Sequence, residues 1–466
     1  MSDENLLSAR KNLESRALEV LFSSFAERRI RYAVLRNFEH LPKSIGARDI
    51  DIVIFPEDLS SACAVVFTLA EQMGFQCASY FRDERLTQFT LVRRTSEVGI
   101  FDLKIDFFTN SQVYGVEILS AERMIEDHKL HNGIPVVSDS VLLLDKWLFH
   151  LIVGRPLNQK YDLLFSKISR QENDEIFSAL QPVFGRSVAL TLLGSLADGR
   201  GSSSPPLARG QRFRALFKLW RSQGIVAGLR SIKFLLYRLK DRARPRGVFL
   251  SISGPDGSGK TTVIDKVIMQ LRQIYGDSNV RYGHFRPEAL PRIAEVAKAA
   301  RIVETVDEQY DRPHRAQPSG LTMSLLRFFY YWLDYLVGYL RMVHSALVRR
   351  EVVLFDRYVY DMVCDPGRSR IALPGWLIRS SIRFLPLPKW AFFIRVSADE
   401  VYRRKQELDL DTIRELNSHY EELVVRELLI SVDNNDRPDV AAAQIVDIIV
   451  RDRDIAVRRS LSRFLP

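Results

Sequence analysis

The sequence predicts an α/β fold in both halves of the chain, and three observations lead to this prediction. An apolar, strand-like run at Val248–Ser253 is followed by a glycine-rich loop and then by helical spacing over 262–271. Strand-like and helix-like segments alternate from residue 247 onward, as they do around a parallel sheet. Short strands and helices also alternate within residues 1–165. We therefore expect a C-terminal parallel sheet with helices on both faces and a separate N-terminal α/β domain.

Length and composition limit the classes of protein to consider. A chain of 466 residues exceeds one ordinary domain, and 46% hydrophobic residues can build substantial cores. The net charge of +10 indicates anionic partners such as nucleotides, nucleic acid or an anionic membrane surface. The cysteines Cys63, Cys77 and Cys364 lack metal-ligand spacing, and the start of the chain does not resemble a signal peptide. We expect reduced thiols in a cytoplasmic protein without a membrane-spanning segment.

The elements of the N-terminal domain, residues 1–165, follow from hydrophobic periodicity. Strands are predicted over 32–35, 50–54, 86–93 and 99–108. Helices are predicted over 13–29, 59–73, 117–130 and 139–153. The second of these helices ends at Gly74, a suitable C-cap.

Residues 166–246 are predicted to form a helical region, a linker and a basic connector, and residues 247–466 the C-terminal domain. Glycine, serine and proline mark the linker at 199–206. Within the C-terminal domain, further core strands are predicted over 351–356 and 390–396, and a closing helix over 440–450.

The loop at 254–262 fits the pattern G-x-x-x-x-G-K-[ST], the phosphate-binding loop (P-loop) of nucleoside-triphosphate enzymes. Its glycines let the backbone turn tightly and aim N–H groups at phosphate oxygens. Lys260 would hold the β- and γ-phosphates, and the Thr261 hydroxyl would ligate Mg²⁺. The expected nucleotide-binding residues are Gly254, Asp256, Gly257, Ser258, Gly259, Lys260, Thr261 and Thr262.

Asp356 ends the second core strand and is followed by Arg357. A carboxylate at the C-terminal end of a parallel strand near a P-loop is where Mg²⁺ is held, directly or through water. The guanidinium of Arg357 matches phosphate oxygens of the donor or the acceptor. With Lys260, these residues are the expected catalytic centre.

The P-loop, the Asp356-Arg357-Tyr358 sequence and the Arg403-Arg404-Lys405 sequence after the third strand together resemble the thymidylate kinase family over about residues 247–450. In that family, the arginine of the DRY sequence contacts the acceptor phosphate. Residues 403–414 resemble the family's lid, which closes over the phosphates. Since the P-loop carries Ser258 and no arginine, the resemblance implies a lid cation in catalysis. The candidates are Arg404, which we take as catalytic, with Lys405 and Arg414.

The amino-acid sequences of the P-loop and the DRY region also resemble those of thymidylate kinase-like proteins of bacterial surface-polysaccharide loci. One departure concerns the acceptor. Tyr335 stands near the position at which the family carries the arginine that reads the base. Arg327 or Arg341 could take the role of that arginine instead. Phosphoryl transfer is therefore better supported than thymidylate as the acceptor. Basic residues follow the predicted strand 280–282, namely His284, Arg286 and Arg292. Two interpretations of these residues stay open: they line an acceptor site, or they belong to a solvated loop.

Acids on two N-terminal strands form a candidate metal site. Asp49 and Asp51 point to one face of a strand, and Asp106 could join them from a neighbouring strand. The region, about 15–165, resembles the minimal nucleotidyltransferase fold, although Leu35-Arg36-Asn37 replaces the family's usual Gly-Ser. Arg36 could still hold phosphate. The alternative is a group of acids at a strand edge.

The connector at 211–246 alternates cations with large apolar residues. It carries eleven Lys and Arg residues against one acid, Asp241. Two interpretations stay open: a helix on an anionic membrane surface, or a connector packed on a domain with a solvated basic face.

The leading expectation is ATP- and Mg²⁺-dependent phosphoryl transfer to a nucleoside monophosphate or a related small phosphate acceptor. One alternative is a nucleotidyltransferase acting through Asp49, Asp51 and Asp106. Another is a non-catalytic nucleotide-sensing adaptor at an anionic membrane surface. We expect a cytoplasmic protein, peripheral to the membrane if the connector binds it, with nucleic acid not a partner and a homodimer left open.

Overall fold

The computed structural model describes residues 3–96, 98–201, 207–287, 290, 320–366, 368, 371–406 and 408–461. The chain divides into two compact units, Met1–Lys240 together with Val450–Pro466, and Asp241–Ile449. The boundaries predicted at 165 and 246 concern autonomously folding domains and stay a prediction. Within the described part of the chain, no helix combines the length and apolarity needed to cross a bilayer.

The first unit is built on a mixed sheet with the order β3-β4-β5-β2-β1-β9-β8. Its strands are β1 Tyr32–Arg36, β2 Ile50–Ile54, β3 Gln76–Arg82, β4 Leu86–Thr95, β5 Gly99–Phe108, β8 Lys129–His131 and β9 Ile134–Val136. A separate antiparallel pair is formed by β6 Asn110–Val113 and β7 Val116–Ser120. The helices of this unit include α1 Asp3–Glu27, α2 Leu59–Met73, α3 Ala121–Glu126, α4 Asp139–Val153, α5 Asp162–Gln171, α6 Asn173–Phe184, α7 Arg186–Ala197 and most of α8 Arg209–Ala243.

Helices cover both faces of this sheet, so all five residues of β2 are buried, and the four besides Asp51 are apolar. Ile52 and Ile54 pack into a cluster with α1 and α2, while Val53 faces a second cluster with α4 to α7. Strand β2 runs parallel to β5, and Asp51 is the register partner of Asp106. The sheet therefore sets the two carboxylates side by side.

The predicted helix over 117–130 is wrong. Residues of this segment form β7, the short helix α3 and β8. Tyr114 and Gly115 adopt φ of 54° and 85°, a turn that joins β6 and β7 into a tight hairpin. The Ser120 hydroxyl then accepts a hydrogen bond from the backbone N–H of Arg123 and starts α3. Cross-strand pairing of β7 and of β8 therefore confines the helix to Ala121–Glu126.

The second unit is built on a parallel sheet with the order β11-β12-β10-β13-β14. Its strands are β10 Val248–Ser253, β11 Val280–His284, β12 Val352–Asp356, β13 Trp390–Arg395 and β14 Ile430–Asp433. Its helices include α9 Lys260–Tyr275, α10 Leu321–Gly338, α11 His344–Val348, α12 Asp361–Cys364, α13 Gly375–Ile382, α14 Ala398–Arg404, α15 Leu410–Val425 and the first part of α16 Pro438–Leu461. A π-helical turn, Tyr339–Val343, links α10 to α11.

The parallel sheet with flanking helices confirms the predicted fold class. Phe249, Phe355 and Phe393 join an apolar cluster with α10, α11 and α15, while α9 packs against β10, β11 and β12. Strands β10 and β12 are neighbours in register, so the P-loop after β10 and the acid that ends β12 emerge at the same edge of the sheet. This edge is where ligands bind in open parallel α/β sheets.

Candidate active sites

The P-loop makes a compact turn between β10 and α9. Gly257 and Gly259 adopt φ of 88° and 77°, a left-handed conformation that favours glycine. The space is also restricted: a Cβ on Gly259 would lie 2.8 Å from Nδ2 of Asn434, and one on Gly257 3.1 Å from Cβ of Lys405. Helix α9 begins directly after this turn, at Lys260. The loop therefore presents a helix N-terminus, which favours anions.

Lys260 is buried beside the carboxylate of Asp256, whose Oδ1 lies 3.8 Å from the lysine Nζ. Burial, reinforced by the like charge of Arg357, lowers the pKa of Lys260 to about 8. The carboxylates of Asp356, Asp256 and Asp361 oppose this shift, and a bound polyphosphate would stabilise the charged form of Lys260 further.

Arg357 lies at the centre of a buried ion network, although its φ of 68° is uncommon for a side-chain-bearing residue. Its Nη2 donates to Asp256 Oδ1 at 2.7 Å, and its Nη1 donates to Asp361 Oδ1 at 2.8 Å. Burial alone would lower the pKa of Arg357, but Asp361 and its neighbours raise it above the usual value. Asp256 also accepts a hydrogen bond from Arg368 at 2.7 Å. Burial would raise the pKa of Asp256, yet these cations hold it well below its usual range.

Asp361 is a member of this network that the sequence analysis did not single out. Its carboxylate accepts hydrogen bonds from Ser253 Oγ at 2.6 Å and from the Tyr420 hydroxyl at 2.7 Å, besides Arg357. Asp361 stands four residues after Arg357, but Arg357 precedes the helix that begins at Asp361, so helical spacing does not identify this pair.

Asp356 lies at the end of β12, and its two carboxylate oxygens have different surroundings. Oδ2 lies 3.5 Å from the Tyr282 hydroxyl, which donates to it, and 3.9 Å from His284 Nε2. Oδ1 is buried and has no hydrogen-bond partner among the described residues. A buried carboxylate oxygen without a donor suits a cation. Asp356 therefore fits the expected Mg²⁺ site, with the exposed hydroxyl-bearing residue Thr261 on the first turn of α9 as the other expected ligand.

The predicted lid cations occupy different environments. Arg404 ends α14, and its Nη2 donates to the carbonyls of Asn434 and Asn435 at 3.2 and 2.7 Å. Its Nε donates to Glu400 at 2.7 Å. Asn434 in turn donates from Nδ2 to the Ser258 carbonyl at 2.8 Å, so Arg404 is tied to the P-loop through this asparagine. Lys405 also lies against the P-loop, at Gly257.

Arg414, the third predicted lid cation, lies on α15 and pairs locally with the exposed Asp411 at 3.2 Å. Thr262 follows Thr261 on α9 and is exposed. The P-loop residues, Asp356 and Arg357 are thus brought together by the sheet edge, with Arg404 linked to them through Asn434.

Of the candidate acceptor residues, His284 lies beside Asp356, whereas Arg286 follows Phe285, whose carbonyl contacts the buried Tyr335. Tyr335 is fully buried, donates its hydroxyl to the Phe285 carbonyl at 2.8 Å and packs edge-on against Tyr358. Arg286 pairs with Asp334 at 3.2 Å and lies over the ring of Tyr331. Arg292 lies outside the described residues.

In the first unit, Asp51 of β2 and Asp106 of β5 lie together with Asp49, which was predicted to lie on the strand but directly precedes it. One carboxylate oxygen from each lies within 4.8 Å of the others. Asp51 and Asp106 are only 1% and 5% exposed, which is unusual for acids of like charge. Arg36, at the end of β1, places its Nε 2.5 Å from Asp51 Oδ2. Despite this ion pair, neither Asp51 oxygen has a hydrogen bond of acceptable geometry within the described residues.

The electrostatics of this cluster favour a bound cation. Burial, and then the neighbouring carboxylates, raise the pKa of Asp106 to about 7, although Gln88 Nε2 donates to both of its oxygens. Burial raises the pKa of Asp51 to about 6, against the attraction of Arg36. A divalent cation would offset this concentration of negative charge, so the cluster fits Mg²⁺.

Two cations near the cluster were not predicted from the sequence. Burial lowers the pKa of Lys146 on α4, and burial together with Arg48 lowers that of Lys104 on β5. The attraction of the cluster's carboxylates opposes both shifts. Lys146 lies inside the helix predicted over 139–153. From the sequence alone, a lysine next to Asp145 in a helix cannot be distinguished from a solvated lysine.

Comparisons with known proteins give relatives over part of the chain. No protein-family model matches. A thymidylate kinase of Lacticaseibacillus casei (strain BL23) is 23% identical over 221 residues, which cover 44% of this chain and 96% of that protein. A thymidylate kinase of Oenococcus oeni (strain ATCC BAA-331 / PSU-1) is 29% identical over 125 residues, 27% of this chain and 51% of that protein. The crystal structure of thymidylate kinase from Ehrlichia chaffeensis is 16% identical, with a TM-score of 0.32, covering 44% of this chain and 100% of that one.

Taken with the P-loop geometry, the sequence relatives support a thymidylate kinase-like fold over part of the chain. They also support, in general terms, the phosphoryl-transfer chemistry of a nucleotide kinase.

Proposed function

We propose that the second unit transfers the γ-phosphoryl group of ATP, in the presence of Mg²⁺, to a nucleoside monophosphate or a related small phosphorylated acceptor. One observation carries this proposal: Asp256 of the P-loop contacts both Lys260 and Arg357, so two buried cations meet at the phosphate-binding loop. Negative charge spreads over the equatorial oxygens of the transferring phosphoryl group, and such cations stabilise it.

The proposed roles follow from the contacts. The P-loop N–H groups and Lys260 bind the donor phosphates, and Arg357 binds a phosphate of the acceptor or donor. Asp256 and Asp361 position Arg357 from opposite sides of its guanidinium. Asp356 and Thr261 would hold Mg²⁺, which neutralises charge on the phosphates when bound. Arg404, anchored beside the P-loop by Asn434 and Asn435, is the cation proposed to complete the site.

The test is a screen of ATP consumption by the full chain against nucleoside monophosphates and sugar phosphates, with product identified by mass. We expect one acceptor class to stimulate ATP turnover at least tenfold over water. Tight ATP binding without stimulation by any acceptor would instead support the nucleotide-sensing adaptor. Absence of ATP binding would contradict both.

Thymidylate is not the preferred acceptor in this proposal. The Tyr335 hydroxyl already donates to the Phe285 carbonyl, and the side chain is fully buried, so it offers a base neither a charged fork nor a free donor. A site that hydrogen-bonds a base edge discriminates strongly, because an unmatched partner leaves polar groups unpaired. Steady-state kinetics that gave thymidylate the highest kcat/KM by a wide margin would contradict this expectation.

A second candidate function, nucleotidyl transfer by the first unit, is favoured by the Asp49, Asp51 and Asp106 cluster. Three carboxylates within 4.8 Å match the ligand set of a site with two divalent cations. Arg36 lies beside them, where it could hold a phosphate.

This candidate is tested by two measurements at about pH 8. Mg²⁺ should raise the thermal midpoint of the full chain, and Asp106→Asn should remove part of that rise, while Lys260→Ala leaves that part in place. Pyrophosphate release from a nucleoside triphosphate that is lost in Asp51→Ala but kept in Lys260→Ala would support nucleotidyl transfer. Identical Mg²⁺ responses of the native chain and Asp106→Asn would contradict a metal site at the cluster.

A further inference from the structure

Helix α8, which covers the basic connector, contacts the rest of the first unit along one face. Gln223 Nε2 donates to the Glu117 carbonyl at 2.7 Å, and Ser231 Oγ donates to the Tyr114 carbonyl at 3.1 Å. Ala227, between them on the same face, is buried. Near its start, the helix is held by Arg212, whose Nη1 donates to the Val153 carbonyl at 3.1 Å. These contacts fix the orientation of α8 on the unit.

The opposite face of α8 carries an apolar stripe in water. After Gly224, where the backbone leaves helical geometry (φ 60°, ψ −137°), apolar residues recur at alternating intervals of four and three. They are more than half exposed: Ile225 81%, Leu229 56%, Ile232 57%, Leu236 59% and Leu239 56%. Relative to Ala227, these positions lie on the far side of a helix with 100° per residue.

Aromatic side chains extend the stripe before Gly224. Phe213, Phe217 and Trp220 follow the same spacing and are 69%, 51% and 39% exposed. Their rings stack in sequence, Phe213 on Phe217 and Phe217 on Trp220, with centroids 6.3 and 6.1 Å apart. We refer to these three residues and the five after Gly224 as the α8 stripe. Eight exposed large apolar side chains on one helix are unlike the single exposed apolar residues scattered over a typical soluble protein.

Cations flank the stripe. Arg214, Lys218 and Arg221 are exposed and recur at intervals of four and three, which places them on one line beside Phe213, Phe217 and Trp220. Lys233 and Lys240 are also exposed, next to the second half of the stripe. Residues 211–246 contain eleven cations and a single acid, Asp241, which lies beyond the stripe.

We propose that the α8 stripe and its flanking cations bind the surface of an anionic lipid bilayer, with the helix in the membrane plane. The apolar side chains would enter the headgroup–acyl boundary, and the Lys and Arg side chains would contact acidic headgroups. The docked face would remain on the first unit, because the buried Ala215 and Ala227 each lie across the helix from the neighbouring half of the stripe. This surface is independent of the proposed phosphoryl transfer.

Charge complementarity decides in favour of a bilayer over the two other partners that such a helix could meet. A second copy of the chain would bring cationic flanks against cationic flanks, whereas helix pairs usually match opposite charges beside the apolar seam. Nucleic acid would satisfy the cations but leave the aliphatic half of the stripe, from Ile225 to Leu239, in water.

The experiment is sedimentation of the full chain with vesicles of phosphatidylcholine alone or with about one third phosphatidylglycerol. We expect binding to the anionic vesicles only, with a steep loss as NaCl rises from about 50 to about 500 mM, because salt screens the headgroup contacts. Retention on neutral vesicles equal to that on anionic ones, or no retention on either, overturns the proposal.

Matched variants separate the two contributions. The stripe variant, Leu229→Ser with Ile232→Ser and Leu236→Ser, should reduce binding more than tenfold. Its control changes equally exposed leucines elsewhere in the first unit and should bind normally: Leu130→Ser, Leu163→Ser and Leu190→Ser. All six positions are at least half exposed, so the variants should fold, which circular dichroism checks.

The charge variant, Arg214→Gln with Lys218→Gln and Arg221→Gln, should also reduce binding more than tenfold, since each interfacial cation contributes about 1 kcal/mol. Its control removes the same charge from exposed positions in and just after α1: Lys11→Gln, Arg16→Gln and Arg28→Gln.

The alternative partners give distinct results. A lipid-free dimer seen by light scattering and dissociated by the stripe variant would assign the stripe to a second copy. Binding to single-stranded nucleic acid that is lost in the charge variant but kept in the stripe variant would assign it to a polyanion. Either result, without vesicle binding by the native chain, overturns the proposal.

Discussion

The carboxylates at the two candidate sites stand in opposite electrostatic states. Around the P-loop, Asp256 contacts Arg357, Arg368 and Lys260, and its pKa lies well below the usual range. In the first unit, Asp106 lies beside two further acids, and its pKa is raised to about 7. The P-loop site is therefore assembled from ion pairs, whereas the carboxylate cluster holds three acids of like charge close together.

This difference teaches how each site depends on its ligand. A network of paired charges keeps its geometry without a ligand, and removing one charge leaves its partner uncompensated in the interior. A cluster of like charges destabilises the folded chain until a cation neutralises it. Removing an acid should thus have opposite effects on stability at the two sites.

The largest expected effect is on catalysis. Lys260→Ala should reduce ATP turnover by at least a hundredfold, because it removes the buried cation of the phosphate loop. The control is Lys266→Ala on the same helix, a half-buried lysine whose Nζ lies 2.6 Å from Asp439. Initial rates with the best acceptor provide the measurement. Unchanged turnover in a folded Lys260→Ala chain would contradict the proposed ATP site at the P-loop.

The next effect concerns the paired network. Asp361→Asn should destabilise the second unit by about 3–5 kcal/mol, because it leaves Arg357 buried with one of its partners neutral. Denaturant unfolding measures this free energy. Asp411→Asn, which breaks the exposed pair with Arg414, should change it little. A small effect of Asp361→Asn would mean that the network is not held by charge.

The opposite sign is expected at the cluster. Because the folded pKa of Asp106, about 7, lies above its ordinary value of 3.8, the unfolded chain ionises first as the pH rises. Folding stability is therefore lost between about pH 4 and pH 7, and Asp106→Asn, which cannot ionise, should be more stable than the native chain at pH 8 by about 2–4 kcal/mol.

Denaturant unfolding of both chains without divalent cations, at pH 8 and pH 4, tests this prediction. The gain in the free energy of unfolding in Asp106→Asn should be present at pH 8 and vanish at pH 4. Asp102→Asn on the same strand, whose carboxylate pairs with Arg10 at 2.9 Å, should give no gain. Destabilisation by Asp106→Asn at pH 8 would show that the cluster is compensated in the same way as the P-loop network.

The smallest expected effect is the uptake of protons when ATP binds. The pKa of Lys260 is lowered to about 8, and bound ATP should raise it again. Binding between about pH 8 and pH 9 should then take up a fraction of one proton per ATP, and affinity should fall as the pH rises through this range. Calorimetry in two buffers of different ionisation enthalpy measures the uptake. Lys260→Arg, whose guanidinium stays charged, should show none, and equal uptake by both chains would assign the proton elsewhere.

Much of the P-loop site could be predicted from the sequence because its parts are local. The glycine pattern, Lys260 and Thr261 are contiguous, and Asp356 with Arg357 directly follows a strongly apolar strand. The hydrogen bonds of Asp361 to Ser253 and Tyr420 could not be predicted, because these residues are 108 and 59 positions away along the chain. Such distant partners leave no periodic signal.

The error at 117–130 has a related cause. The segment has helical spacing as a local pattern, but pairing with β6 and the left-handed turn at Tyr114 and Gly115 stabilise a strand at its start. Tertiary pairing overrides local preference where a segment is short.

By itself, the sequence determined the alternating α/β order, the phosphate-binding loop and the charge of the connector, because each depends on residues that are close together along the chain. Only the tertiary structure decided that Asp106 is the register partner of Asp51, and that α8 presents its apolar stripe away from the first unit. It also decided that residues 450–461 belong to the first unit, where Val457 and Leu461 join the core and Asp454 accepts a hydrogen bond from Cys77 N at 2.8 Å. The physical reason is shared: burial of apolar surface and pairing of buried polar groups select contacts between residues that are far apart in the chain.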